Sequence, residues 1–338
     1  MIVQVPAGLR AARPAELRGL RRDGARLAVV DRASRTVHHT TVAQMDEHLG
    51  AGDALILNSS RTVPAALDVL REDRAPVQLR PWVRRPDSWD AIAVQSAPPH
   101  APVPLRIGET LRVQDELLLR VEARREDVAA LWRVAVVRGD WLDALLRFGR
   151  PIQYSYAPQP LAMEHHQTLY AGRPGSAETP SAGRHLTWEL LLGLRRRGVA
   201  VADLVLHTGL SSTQDDELDA TQPLLEEWFE VPAHVADAVN GASRVVAVGT
   251  SGVRALETAA VAGGGRVVPM SGWTGMRVGP ERGVRAVHGL LTGLHEAGGS
   301  HLELLRAFLD DALLDRAHAE AVERGYLWHE FGDAMLVL

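Results

Sequence analysis

The alternation of apolar and polar positions divides the chain into three textures. Between Arg26 and Asn58, short apolar runs predict strands at Arg26–Asp31 (RLAVVD), Val37–Thr41 and Asp53–Asn58 (DALILN). A short helix, Val42–Leu49, is expected between the last two. From Val77 helical periodicity disappears. VQLRPWVRR, WDAIAVQS, ETLRV, ELLLRVEAR and LWRVAVVRG read as strands cut by Pro, Gly and Asp turns. Several short strands in succession suggest a small barrel or sandwich of roughly 80 residues. A helix over Trp141–Phe148 and the Pro-rich stretch Pro151–Pro160 close that region.

After Glu164 helix and strand alternate. Helix His185–Arg197 leads to strand Ala202–Leu206, and strand Trp228–Val231 to helix Ala233–Asn240. Strand Arg244–Val248 leads to helix Val253–Val261 and then to strand Arg266–Pro269. Helices His301–Leu314 and Arg316–Arg324 end the pattern. Such alternation predicts a mostly parallel sheet flanked by helices. The expected architecture is α/β: a discontinuous catalytic domain from residues 1–67 and 151–338, with a small β-barrel domain inserted at 68–150.

Composition narrows the chemistry. The 338 residues contain no Cys, and every one of the 37 basic residues is Arg. That excludes thiol nucleophiles, cysteine-ligated metals, Schiff-base lysines and the P-loop lysine. Acid–base work must fall to His, Asp, Glu or Tyr, because Arg does not give up its proton. Apolar runs are far shorter than the ~20 residues of a membrane span. The first residues lack the apolar stretch of a secretory signal, so a cytoplasmic location with no membrane partner is expected.

Net charge is −5, but it is unevenly spread. Residues 1–35 hold eight Arg against three acids, whereas nine acids and no Arg lie between Arg197 and Arg244. Phosphate is attracted to the first segment and repelled by the second.

The sharpest local feature is VVAVGTSGVRALE, Val245–Glu257, a strand running through a small-residue turn into a helix. A helix amino terminus of this kind binds carboxylate or phosphate through its free N–H groups, with Thr250 and Ser251 as extra donors. The plainer alternative is that Thr250 or Ser251 caps the helix. In ETPSAGRHLTWELL, His185 and Glu189 share a helical face at i,i+4, which also suits a surface ion pair. His207 ends the strand ADLVL, where α/β folds bind ligands, and His295 is similar in kind. His295 and His301 lack HExxH spacing, and no metal site is expected. GxSxG, GxGxxG and Walker A patterns are missing.

Taken together, VPAGLRAARPAELRGLRRDGARLAVVDR, GDALILNSSRTVPAAL (52–67), HQTLYA (166–171), TPSAGRHLTWELL (179–191), LVLHTG (204–209), EWFEV (227–231), AVGTSGVRALE (247–257), LTGLHEAGGSHLELLRAF (291–308) and GDAMLVL (332–338) resemble one family. They occur in the order found in the S-adenosylmethionine:tRNA ribosyltransferase-isomerases of queuosine biosynthesis. The resemblance implies a discontinuous α/β domain with an inserted β-barrel. It implies S-adenosylmethionine as ribosyl donor and co-substrate, no metal, and tRNA carrying 7-aminomethyl-7-deazaguanine as acceptor. The ribosyl unit rearranges to an epoxycyclopentane, giving epoxyqueuosine, while adenine and methionine leave.

Carried over by motif, His185, His207 and His295 are the candidates for proton transfer, and Glu227 faces the sulfonium or the amine. Thr250, Ser251 and Arg254 would hold the methionine carboxylate, and Asn58 and Arg61 the ribose or base. Gln167, Tyr170 and Arg184 complete the substrate-binding set. The chain departs from the family in places. It has Asn58-Ser59-Ser60-Arg61 for Asn-Asp-Thr-Arg, and Arg184-His185 for Leu-His. A His-x-Met-His-x-Glu run is here Gln222–Glu227, which keeps only Glu227. These losses and the acidic 203–237 segment point to an alternative, an S-adenosylmethionine enzyme acting on a small molecule or cleaving its donor without tRNA. A second alternative is an inactive paralogue that binds a nucleoside or RNA.

Overall fold

The computed structural model describes residues 5–84, 87–97, 100–128, 130–152, 157, 159–210, 224–295 and 300–338. The acids Asp215, Asp216, Glu217 and Asp219, and part of the Pro-rich stretch, lie outside the described residues.

The strands are β1 (Arg26–Asp31), β2 (Thr36–Thr41), β3 (Asp53–Asn58), β4 (Ser60–Thr62), β5 (Leu67–Leu70), β6 (Pro76–Arg84), β7 (Ser88–Val94), β8 (Thr110–Val113), β9 (Leu117–Arg124) and β10 (Leu131–Arg138). After helix α1 (Trp141–Phe148) come β11 (Arg173–Ser176), α2 (Trp188–Arg196), β12 (Ala200–Leu206), β13 (Glu227–Val231), α3 (Ala233–Gly241), β14 (Arg244–Val248) and α4 (Gly249–Ala262). The chain ends with β15 (Met270–Thr274), β16 (Gly289–Gly293), α5 (Ser300–Leu305), α6 (Asp311–Glu323) and β17 (Ala334–Val337).

Nine strands form one sheet in the order β15-β13-β12-β3-β14-β16-β17-β1-β2. β3, next to the middle strand β14, is buried along its whole length, as its unbroken apolar run requires of a strand covered on both faces. The expectation of a mostly parallel sheet is corrected. β12, β3, β14 and β16 run parallel, as do β1 and β17, but β2, β13, β15 and β16 each make an antiparallel pairing. The β1–β2 pair shows why. Its connection is a tight turn in which Asp31 accepts the Ser34 N–H at 2.9 Å, too short for the crossover that parallel strands need.

The six strands β5–β10 pair among themselves in the antiparallel order β10-β7-β6-β5-β8-β9, and β9 pairs back onto β10. The entering and leaving chains are tied at the root, where Ala66 and Arg150 exchange two backbone hydrogen bonds of 2.9 Å. A separate two-stranded parallel ladder joins β4 to β11.

Several boundaries move for local reasons. Helix α2 starts at Trp188 rather than His185, because the Thr187 hydroxyl accepts the Leu190 N–H and caps it. Helix α4 starts at Gly249, four residues ahead of Val253. The strand expected at Arg266–Pro269 does not form; the Asn240 side chain takes both the N–H and the C=O of Val267, and β15 begins at Met270. The helix expected over His301–Leu314 breaks, since Asp310 caps a new helix by accepting the Leu313 N–H at 3.0 Å. No helix among the described residues is long and apolar enough to cross a membrane.

Candidate active site

The carboxyl ends of the four neighbouring parallel strands gather most of the candidate residues. β3 ends at Asn58, β12 runs into His207, β14 into Gly249-Thr250-Ser251, and β16 leads to His295. Open α/β sheets bind ligands along this edge. Asn58 is 1% exposed and spends its amide on the strand ends themselves. Its oxygen accepts N–H from Leu206 (3.0 Å) and Ser60 (3.1 Å), and its nitrogen donates to Leu206 O (2.9 Å) and Ser251 Oγ (3.1 Å). Asn58 thus locks β3, β12 and the first turn of α4 together.

His207 is held on three sides. Its Nδ1 is 2.7 Å from Ser60 Oγ, and its ring stacks on Trp228 with centroids 5.3 Å apart. The third side is Gly175, where a Cβ would lie 2.6 Å from the imidazole. Trp228 in turn carries the Arg173 guanidinium, itself paired with Glu230.

Glu227 opens β13 and pairs through one oxygen with Arg254 of α4, while its other oxygen accepts the Gly209 N–H at 2.7 Å. Arg254 is buried, and its remaining N–H groups reach the carbonyls of Met276 (3.0 Å) and Thr274 (3.1 Å). The guanidinium is therefore engaged by the protein, and it orients Glu227. The acid of the Val245–Glu257 motif, Glu257, is fully buried and accepts N–H from Arg285, Ala286 and Val287, which makes it a fastening of that turn.

Neither Thr250 nor Ser251 caps α4, which has Val248 at its N-cap and no side-chain capping bond. The first-turn N–H groups of a 14-residue helix thus lack a side-chain cap at the edge where His207 and His295 emerge. Thr250 Oγ1 lies 3.3 Å from His301 Nδ1, and His301 stacks on His295 with centroids 4.2 Å apart. Burial holds the His295 imidazole well below the usual histidine range, and the neighbouring histidines push the same way. Burial brings His301 down to about 4, so both are neutral at physiological pH.

The remaining candidates lie in other surroundings. Gln167 brackets β4, taking the Thr62 N–H at 3.1 Å and donating to Thr62 O at 2.7 Å. That leaves the Arg61 side chain exposed beside it. Tyr170 packs against Gly183, with its hydroxyl 3.4 Å from the carbonyl, and burial pushes its phenol up. Arg184 is fully buried, pairs with Glu16 at 3.0 Å and donates to His165 O at 2.7 Å. His185 lies with its Nδ1 3.3 Å from Arg22 O, and burial brings it down to about 4. Arg184 and His185 therefore face the N-terminal segment and are not brought together with His207. Glu189 pairs instead with Arg21 at 3.8 Å. Among the described residues no group of three or more His, Cys, Asp or Glu is arranged to hold a metal ion.

Sequence reasoning missed Ser176, Gly175, Trp228 and His301 as site residues. The Gly-Ser pair before AETPSAGR was the available signal, since a glycine inside a strand marks a close approach.

This mixed-sheet α/β protein sets histidines, a carboxylate and a helix amino terminus along one edge of its parallel strands, the edge at which open α/β sheets bind ligands. The chain matches the family described as Queuosine biosynthesis protein over residues 3–337. It is 36% identical to the S-adenosylmethionine:tRNA ribosyltransferase-isomerase of Rubrobacter xylanophilus, over 99% of this chain and 96% of that protein. It is also 36% identical to the protein of the same name from Thermus thermophilus, over 94% and 93% of the two chains. The crystal structure of S-adenosylmethionine tRNA ribosyltransferase from Thermotoga maritima superposes with a TM-score of 0.54 and 26% identity, covering 100% of this chain and 99% of that one. The chain belongs to the queuosine biosynthesis protein family, whose similar members are transferase–isomerase enzymes by name.

Proposed function

We propose that this protein is a cytoplasmic enzyme that transfers and isomerises the ribosyl part of S-adenosylmethionine onto 7-aminomethyl-7-deazaguanine in tRNA, giving epoxyqueuosine, adenine and methionine. The observation that carries this reading is the gathering of His207, His295 and Glu227 around the uncapped end of α4, in a chain of this family. Residues 1–67 and 151–338 form the catalytic domain of this proposal, and the closed ring of strands within 68–150 is the family's inserted barrel.

The residues present fit the donor. S-adenosylmethionine, when bound, supplies a sulfonium-activated ribosyl unit and a carboxylate. The free N–H groups of α4 with Thr250 and Ser251 suit the carboxylate, and Arg61 is the exposed cation of the set. His207 and His295 offer neutral or hydrogen-bonding ring nitrogens at this edge of the sheet. Arg254 acts by holding Glu227. Arg184 and His185 serve the same site indirectly, by fixing the segment whose Ala182 packs on Gly249.

One observation favours a small-molecule acceptor. The arginines of residues 1–35 are largely paired within the chain, several of them at its surface: Arg21 on Asp23, Arg22 on Glu16, Arg26 on Asp333 and Arg35 on Asp310, with Arg18 and Arg32 on backbone carbonyls. Mass spectrometry of the products, with and without tRNA bearing the aminomethyl base, separates the readings. A tRNA nucleoside heavier by the epoxycyclopentane unit supports the tRNA reaction. Adenine release without tRNA supports the small-molecule reading, and no consumption of the donor overturns both.

A further inference from the structure

The clamp on His207 contains a hydrogen-bond chain whose direction is fixed by counting protons. Ser176 is fully buried and Ser60 is 1% exposed. Ser176 Oγ accepts the Thr208 N–H at 3.0 Å and lies 2.6 Å from Ser60 Oγ, which lies 2.7 Å from His207 Nδ1. The Ser176 hydroxyl has one acceptor among the described residues, Ser60 Oγ. A buried hydroxyl proton without an acceptor loses its water partners and gains nothing in return, so Ser176 donates to Ser60. Ser60 already receives that proton, and its own hydroxyl has one acceptor, the His207 ring nitrogen. Nδ1 is then an acceptor, and the single proton of the neutral imidazole sits on Nε2.

We infer that Ser60 and Ser176 are positioning residues that hold His207 in its Nε2–H tautomer, so that His207 serves the reaction as a hydrogen-bond donor and not as the base. For Nε2 to accept a proton, Nδ1 would have to carry one. Ser60 would then turn its hydroxyl toward Ser176, and the Ser176 proton would be stranded. The backbone supports the same alignment. The parallel ladder of β4 with β11 sets Ser176 opposite Thr62, two residues on from Ser60, which puts the two hydroxyls in contact; Gly175 leaves room for the ring while Trp228 covers its other face. A neutral imidazole N–H aimed at a site of growing electron density is a recognised electrophilic device, with no net proton transfer needed at the histidine.

The inference rests on the proposed function for its catalytic meaning, but the tautomer can be read without substrate. Nitrogen-15 NMR of the full-length, histidine-labelled protein, with His207 assigned by loss of its signals in His207→Gln, is expected to show Nε2 protonated and Nδ1 bare. Ser60→Ala should give mixed tautomers and lower kcat by on the order of 10- to 100-fold, with the KM for S-adenosylmethionine within about 2-fold. Ser60→Thr, which keeps the hydroxyl, should restore both. Protonated Nδ1 in the wild type, or an unchanged tautomer in folded Ser60→Ala, overturns the inference. If Ser60→Ala does not fold, the wild-type spectrum and Ser60→Thr decide alone. A wild-type protein that consumes no S-adenosylmethionine overturns the proposed function and leaves the tautomer result standing.

Discussion

Glu227 and Arg254 are bound to each other across the sheet edge, one at the start of a strand and the other in the second turn of a helix. Arg254 is buried and Glu227 is partly buried, and the second Glu227 oxygen holds the Gly209 N–H. Arg254 also braces two carbonyls beyond Glu227, a fork that an ammonium group does not reproduce. Arg254→Lys is expected to retain the fold and lose at least ~10-fold in kcat, because Glu227 is released from its orientation. Arg254→Ala should cost about 2–4 kcal/mol in a denaturant titration, since it leaves a partly buried carboxylate and two carbonyls without their partner. A kcat unchanged in Arg254→Lys would show that Glu227 needs no such orientation.

Gly175 is the residue on which the His207 ring rests. An added Cβ would meet the ring at 2.6 Å, closer than real contacts come. Either the ring or β11 must shift, and the hydrogen bond to Ser60 is lost with it. Gly175→Ala is therefore expected to reduce turnover on the order of 100-fold while shifting the thermal midpoint by only a few degrees. A variant with full turnover would show that the observed ring position is not the working one. The neighbouring Gly209→Ala places its Cβ 2.6 Å from the Trp82 indole and tests contact with the inserted strands in the same assay.

The strands that form the site were legible wherever apolar runs were long enough to demand burial. β1, β3 and β14 appear with the boundaries that RLAVVD, DALILN and RVVAV predict. The missed strands, such as β4 and β11, are short and polar, and they exist because tertiary contacts hold them: Ser60–Ser176 and Gln167–Thr62. Motif reasoning singled out by residue type His207, Glu227 and Thr250, which the fold sets along one edge of the sheet. It did not distinguish a ligand-facing polar group from one already satisfied. Arg184 and Asn58 carry the same letters either way, and only their partners Glu16 and Leu206 identify them as internal ties.

The Glu16–Arg184 pair anchors the N-terminal segment to the loop before α2. Burial alone would raise the Glu16 carboxyl, but Arg184 and then Arg22 outweigh it and bring it to about 2. A depressed carboxylate stabilises the fold above its ordinary value of 4.5, and that contribution is lost as the pH falls from there toward about 2. Glu16→Gln leaves a fully buried guanidinium facing a neutral amide. It is expected to cost about 2–4 kcal/mol at pH 7 and much less near pH 2, a difference that urea titrations at the two values would read. An equal cost at both would place the loss in packing and not in charge.

Besides His295 and His301, three more buried histidines weaken the fold in acid, and at higher pH than Glu16 does. His166, His185 and His318 are each at most 6% exposed, and burial lowers each to about 4 from the ordinary 6.5. Between those two values the unfolded chain binds protons that the folded chain refuses. Stability is therefore full above about pH 6.5, falls as the pH drops toward about 4, and changes no further from these groups below it. Each contributes a slope of about 1.4 kcal/mol per pH unit at most within that window. His318 is the cleanest probe, because its Nε2 has no hydrogen-bond partner among the described residues and its ring only packs edge-on against Trp328 at 5.2 Å. His318→Leu should remove one proton from the slope measured by urea unfolding between pH 7 and 4.5. A slope that stays the same would mean that His318 is protonated in the folded protein, at the cost of burying an unpaired charge.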